Sequence, residues 1–242
     1  MIKCVLWMAL SLVTVSSFAD ANYNNYWSGN VSMGVGWSSF SANDTVDFGS
    51  GIQSQYATSS SSSSLPIMGL GLAYNAPYPG VTLGLGVSAY YMHDINAAGV
   101  KTVVGTSDTL QYSSQGQSYA LMLEPKFTWT QYAIQPYVFV GAGVALNDFG
   151  NYSETPTDPN GGASAGTPFN TEDEFSLAYE MGIGVQYVLS QKANAPIVAL
   201  DYRFMNWGNA GVAATTGQVN GEGLNFGNLR TSSVNLSLIV PF

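Results

Sequence analysis

The chain has 242 residues, of which 46% are hydrophobic and only 9% charged, with a formal net charge of −9. Ordinary soluble domains carry roughly 25% charged residues, and the acidic balance argues against nucleic acid as a partner. After the N-terminus no apolar run reaches the length of about 20 residues that a spanning helix needs. The apolar content must then be hidden in alternation, as it is in a transmembrane β-barrel.

Residues 1–21 read as a secretory signal peptide and 22–242 as the exported domain. Lys3 supplies the positive start, Val5–Val15 the apolar stretch, and Ser17-Phe18-Ala19 a cleavage site before Asp20, with cleavage after Ala21 as the alternative. The single cysteine, Cys4, precedes the apolar stretch, so the exported part has no disulfide. Cleavage before Asp20 removes Lys3 and no acid, which moves the net charge to about −10.

The first predicted strand, Trp27–Phe40, sets Trp27, Val31, Met33, Val35 and Trp37 on one face. Ser28, Asn30, Ser32, Gly34, Gly36 and Ser38 fall on the other. At about 3.3 Å per residue and a tilt near 40°, Trp27 and Trp37 stand about 25 Å apart along the membrane normal, the height of an outer-membrane apolar band. A polar loop is expected over 41–65. The second strand, Pro66–Asn75, turns Met68, Leu70, Leu72 and Tyr74 outward and ends in a tight turn, Ala76–Gly80. The third, Val81–His93, turns Val81, Leu83, Leu85, Val87 and Tyr91 outward, and a loop runs on to Ser114.

The fourth strand, Gln117–Thr130, repeats the ten-residue aromatic spacing with Tyr119 and Trp129. Pro125 lacks a ladder donor, which predicts a bulge or a missing bond. The fifth, Pro136–Leu146, turns Val138, Val140, Ala142 and Val144 outward, before a loop over 147–173. The sixth, Glu174–Val188, places Phe175, Leu177, Tyr179, Met181, Ile183, Val185 and Tyr187 outward. A short turn over 189–195 leads to the seventh, Ile197–Met205, and a loop over 206–229 to the last, Arg230–Phe242. Trp27, Trp37, Tyr74, Tyr91, Tyr119, Trp129, Tyr179 and Tyr187 are the expected aromatic girdle residues. Short and long connections alternate strictly. The expected fold is an all-β, eight-stranded antiparallel up-and-down transmembrane barrel with four long extracellular loops. A soluble exported barrel is the rival, but the second face of these strands is Gly, Ser and Ala rather than Lys, Glu and Thr.

Three stretches resemble the OmpA-like and opacity-type small outer-membrane barrels, a group often called the porin family. They are Ile134-Gln135-Pro136-Tyr137-Val138-Phe139-Val140-Gly141-Ala142-Gly143-Val144, Leu200–Gly208, and the last strand ending on Phe242. The resemblance implies location in the bacterial outer membrane and a terminal aromatic, Phe242, that the assembly machinery reads. It leaves function open, because this fold hosts adhesins, structural anchors, narrow pores and enzymes. No peptidoglycan-binding domain is expected after Phe242.

Few charges fall on inward parities: Glu124, Lys126, Glu180, Asp201 and Arg203. Folding strands six and seven about residue 192 brings Glu180 near Arg203. Ions in a narrow lumen must pair or stay hydrated, and eight-stranded interiors are just wide enough for side chains. The expected lumen is charge-plugged; the sharper alternative is a gate whose opening makes a narrow pore for ions or small solutes. The single histidine, His93, precedes Asp94. Barrel deacylases of lipid A place Ser two residues after such a histidine, but Ile95 stands there, so a lipid A-modifying enzyme is the weaker alternative. No catalytic residue, cofactor or metal is expected. Loop acids, among them Asp44, Asp148, Asp158, Glu154, Glu174 and Glu222, are expected in solvent, and Asp158-Pro159-Asn160-Gly161 matches a calcium loop only superficially. Tyr56, Tyr112, Tyr152, Phe169, Trp207 and Phe226 either serve adhesion or cover the barrel mouth. The leading expectation is a non-enzymatic surface protein with a structural or adhesive role. Its expected partners are outer-membrane lipid and lipopolysaccharide, the assembly machinery, and host or phage surface ligands.

Overall fold

Eight strands close into an antiparallel ring in the computed structural model. It describes residues 25–40, 42–48, 52–59, 64–106, 108–158, 165–190, 194–216 and 223–242. The expected signal peptide, 1–21, lies outside the described residues. In chain order the strands are β1 (Tyr26–Ser39), β2 (Ala42–Asp47), β3 (Gln53–Ser59), β4 (Leu65–Tyr78), β5 (Val81–Val103) and β6 (Thr109–Trp129). They continue as β7 (Ile134–Pro156), β8 (Phe169–Asn170), β9 (Glu172–Val188), β10 (Ile197–Ala214) and β11 (Leu224–Pro241). The ring runs β1-β4-β5-β6-β7-β9-β10-β11 and closes between last and first, with Met33 opposite Leu236. The Phe242 N–H donates to the Trp27 carbonyl at 2.8 Å.

Alternation places side chains as the period-2 pattern requires. Met33, Met68, Leu85, Leu121, Val140, Met181, Leu200 and Leu236 are exposed on the outside, while Ser88, Ser118, Ser233 and Asn235 are buried inside. A soluble barrel would bury its apolar face; this one exposes it as a continuous belt, as a membrane-spanning barrel must. Trp27, Tyr74, Trp129 and Tyr187 mark the end with short turns, and Trp37, Tyr91, Tyr119 and Tyr179 the other. Trp27 and Tyr74 pack at 5.3 Å between ring centroids, and Tyr91 and Tyr119 stack at 4.9 Å. At Pro125 the pairing of β6 with β7 lapses without a bulge. Leu123 faces Ala142 and Lys126 faces Phe139, so the register is unchanged across the gap.

Beyond the upper girdle the structure departs from the loops expected over 41–65, 94–114, 147–173 and 206–229. Much of each is strand. β5 and β6 stay paired to Thr102 and Thr109, and β6 and β7 to Leu110 and Pro156. The β2–β3 hairpin docks on β5, with Ser54 opposite Val103 and Ser59 opposite Ala98. Irregularities interrupt β5 between Met92 and Ile95, β7 near Asn151, β10 between Asn206 and Asn209, and β11 near Gly227. Asp94, Asn151, Gly208 and Gly227 have positive φ of 59°, 50°, 80° and 81° at these points. An extra residue on one strand exchanges the two faces of everything beyond it. Tyr91 therefore faces lipid while Ile95 and Ala97, on the same parity, are fully buried.

The main apolar core fills this upper extension and reaches into the membrane section as far as Met122, which lies between lipid-facing Leu121 and Leu123. Its largest buried members include Trp207, Tyr56, Phe149, Phe226, Met92 and Met122.

Candidate functional site

The interior has two parts, a polar lumen and an apolar cap above it. Arg203, projecting inward from β10, is the centre of the lumen. Its Nη1 lies 3.1 Å from Glu180 Oε2 and 3.6 Å from Glu124 Oε1, and its Nε lies 3.7 Å from Asp201 Oδ1. Glu180 faces Met205 across the ladder, so the pair with Arg203 is diagonal. These contacts are ionic rather than well-aligned hydrogen bonds. The guanidinium also lies over the rings of Tyr90 at 4.3 Å and Phe139 at 4.7 Å, an arrangement that suits its weakly hydrated faces.

The carboxylates have further donors. Glu124 accepts from the Tyr90 hydroxyl and, at 2.8 Å, from Ser88. Asp201 accepts from the Tyr137 hydroxyl at 3.1 Å and from Asn235 Nδ2 at 3.0 Å. Thus the structure brings four of the five expected lumen charges together. Lys126 stands apart: its Nζ donates to Gln186 Oε1 at 2.8 Å and sits 3.8 Å from the centroid of Tyr137. Two polar cavities, of about 70 and 60 Å³, lie beside it.

Sequence reasoning passed over Tyr90, Tyr137, Phe139 and Asn235. The available signal was a large aromatic on an otherwise small-residue face. Its counterpart is glycine on the next strand: a Cβ on Gly184 would lie 2.5 Å from Tyr137 Cζ. The lumen admits aromatics only where a neighbouring strand gives up its side chain.

Above Arg203 the lumen stops being polar. Ile67, Met92, Met122, Met205 and Trp207 fill it, none more than 5% exposed. Trp207 Nε1 donates to Thr231 at 2.9 Å, and Asn147 Nδ2 donates to the carbonyls of Trp207 and Asn209 at 2.9 and 2.6 Å. Phe226 packs between Phe149 and Phe40, at 5.7 and 6.2 Å. Higher still, Lys101 Nζ pairs with Glu154 at 2.8 Å and lies 4.8 Å from the Phe48 ring centroid. Glu154 also accepts from the Tyr152 hydroxyl at 2.7 Å and the Gly166 N–H at 3.1 Å. Burial pushes the Tyr112 phenol up to about 12 and raises Tyr56 and Tyr152 further, with Glu154 adding to the rise at both.

This settles the choice left open for the six loop aromatics. Tyr56, Tyr112, Tyr152, Phe169, Trp207 and Phe226 are none more than 7% exposed, so they fill the mouth and present nothing to a partner. Glu154 is likewise buried, contrary to the solvated placement expected of the loop acids. Asp44 is tied to the Asn225 N–H at 2.9 Å and Asp148 to Gln117 Nε2 at 2.8 Å. Glu222, Asn160 and Gly161 lie outside the described residues. His93 is exposed, 3.0 Å from Asp94, with Tyr91 stacked beside it and Ile95 buried. Among the described residues no three His, Cys, Asp or Glu side chains are arranged so as to hold a metal ion together.

The pairing defines the class: an eight-stranded antiparallel transmembrane β-barrel. No family model matches the chain, and no curated protein sequence does. Solved structures similar to it include Neisserial surface protein A, with 15% identity over 89% of this chain and 97% of that one, at a TM-score of 0.39. The outer membrane protease OmpT from Escherichia coli has 8% identity over 95% and 99%, at a TM-score of 0.44. Ail, the attachment invasion locus protein of Yersinia pestis, has 12% identity over 89% and 98%, at a TM-score of 0.35. At such scores the fold rests on the chain's own strand pairing.

Proposed function

We propose that the chain is a bacterial outer-membrane protein of the OmpA-like or opacity type, with its upper extension on the cell surface and a non-enzymatic structural or adhesive role. The supporting observation is the closed interior. Charges alone do not close it: the Arg203 network is surmounted by Ile67, Met92, Met122, Met205 and Trp207. A solute that passed the network would meet a packed apolar core. Recognition then belongs to the outward face of the extension, where Gln55, Gln111 and Thr155 are exposed. Lipopolysaccharide and outer-membrane lipid surround the apolar belt, and Phe242, closing the ring at Trp27, supplies the aromatic end for the assembly machinery.

Single-channel recording of the protein refolded into a planar bilayer tests the closed lumen. The expected result is silence. Discrete openings of the native protein would overturn the reading and favour the narrow pore, to which the two cavities beside Lys126 would then belong. The adhesive part is tested by alanine substitution of Gln55, Gln111 and Thr155. Host or phage binding that survives all three unchanged removes it. Lipid A unaltered in mass by expression of the protein is the outcome expected of a non-enzyme.

A further inference from the structure

The ring of strands above the membrane is not continuous. β9 stays paired with β7 up to Glu172, but its pairing with β10 ends at Tyr179 opposite Asn206. On the other flank, β2 pairs with β3, and among the described residues no ladder joins it to β11. The upper β10–β11 hairpin, Asn209–Ala214 with Leu224–Phe226, therefore has a seam on each side. Side-chain bonds cross these seams, among them Asn147 Nδ2 on the Asn209 carbonyl at 2.6 Å. Asn209 N–H donates to Ser176 Oγ at 3.1 Å on one, and Asn225 N–H to Asp44 Oδ2 at 2.9 Å on the other. Nearer the tip, Ala213 and Ala214 carry the two-residue strand β8 as a strap.

Both strands of the hairpin are interrupted at its base. Gly208 and Gly227 have φ of 80° and 81°, a region that glycine enters at little cost, and each sits at a register shift. Their neighbours Asn206 and Asn225 accept the Gly208 and Gly227 N–H groups with their own side chains, at 2.8 and 2.6 Å. Side chains hold the backbone there, Asn147 Nδ2 adding its bonds to the Trp207 and Asn209 carbonyls. Inward, Ala210, Val212, Leu224 and Phe226 rest on the apolar cap.

We propose that this half-hairpin is a flap, hinged at Gly208 and Gly227, that closes over the apolar cap and opens as a unit once the two-residue ladder to β8 parts. Opening lifts Phe226 from Phe40, Phe149 and Tyr112 and uncovers the mouth of the barrel. Segments with few shared backbone bonds open locally below the global unfolding free energy.

Hydrogen exchange of the full protein in lipid vesicles tests this. The control is Leu110–Gln117 of β6, in the same extension but paired with β5 and β7. Exchange over Asn209–Ala214 and Leu224–Phe226 is expected to be faster than in the control by about tenfold or more. Equal protection overturns the proposal. Asp44→Ala is expected to speed exchange over Leu224–Phe226 and leave β6 unchanged, with Asp44→Asn, which keeps an acceptor oxygen, restoring the slower rate. An Asp44→Ala variant with wild-type rates in the flap also overturns it. Should Asp44→Ala loosen β6 as well, the comparison within the native protein decides.

Discussion

Arg203→Met should be among the most damaging single changes within the membrane barrel, and Glu180→Gln one of the mildest. Arg203 is the cation shared by three carboxylates at 3.1, 3.6 and 3.7 Å. Its removal leaves Glu124, Glu180 and Asp201 in a lumen where Lys126 is engaged with Gln186 and Tyr137. Removing one partner of a buried ion pair costs roughly 3–5 kcal/mol. The lost stacking on Tyr90 and Phe139 adds about 1 kcal/mol, partly offset by the packing that methionine keeps. We expect a loss of about 4 kcal/mol in unfolding free energy. Glu180→Gln behaves differently, because Arg203 retains Glu124 and Asp201 and the amide oxygen still faces its guanidinium. Its cost should stay below about 1 kcal/mol. The assay is equilibrium urea unfolding of vesicle-inserted protein, followed by fluorescence of the lipid-facing tryptophans, among them Trp27 and Trp37. The difference between the variants should persist in high salt, because screening reaches buried charges weakly. Equal costs for the two variants, or a near-neutral Arg203→Met, would mean hydrated carboxylates and would refute the shared-cation account.

Two further outcomes concern the extension. Phe226→Ala empties a fully buried site between Phe40, Phe149 and Tyr112 and should cost about 3–5 kcal/mol in the same unfolding assay. Alkali should destabilise the protein through its buried tyrosines. With Tyr112 pushed up to about 12 from 10.0, the unfolded chain loses the proton first. Between these values the unfolded state binds fewer protons, so stability is intact below pH 10 and falls as pH rises, by about 1.4 kcal/mol per unit for each such tyrosine. Thermal midpoints measured across that range should slope downward, and Tyr112→Phe should remove one tyrosine's share; a flat profile contradicts the burial.

What the sequence made legible is the membrane section. There the solvent is uniform, so a single rule, apolar out and small or polar in, holds for about ten residues at a stretch. Strand parity, the two girdles and the inward placement of Glu124, Glu180, Asp201 and Arg203 follow from it, and hairpin arithmetic brings Glu180 beside Arg203. The aromatic partners are harder to read. Tyr90 and Phe139 on an inward parity have meaning only once their cross-strand neighbours are known, and Gly182 beside Phe139 is 43 positions away in sequence.

The extension was hidden for a different physical reason. In β5 the apolar parity is odd throughout: Leu83, Leu85, Val87 and Tyr91, then Ile95 and Ala97. In β10 and β11 it is even at both ends, running from Leu200 and Tyr202 to Ala210 and Val212, and from Leu236 and Val234 to Phe226 and Leu224, with Met205, Trp207 and Leu229 on the inward odd parity between. The dominant apolar parity is the same on both sides of the membrane surface. What changes is the strand, because one extra residue at Asp94, Gly208 or Gly227 turns the apolar face from lipid to core. β6, without such an interruption, shows the other solution: its apolar parity itself switches, from Tyr119 and Leu121 outside to Leu110 and Tyr112 inside. Crossing from lipid to water demands that the apolar face exchange sides. A strand can meet that demand by a bulge or by a break in its pattern. In the first case alternation continues as if the membrane did; in the second it lapses as if the strand had ended. Either way a reading by period alone sees a loop where the chain has built a second barrel storey.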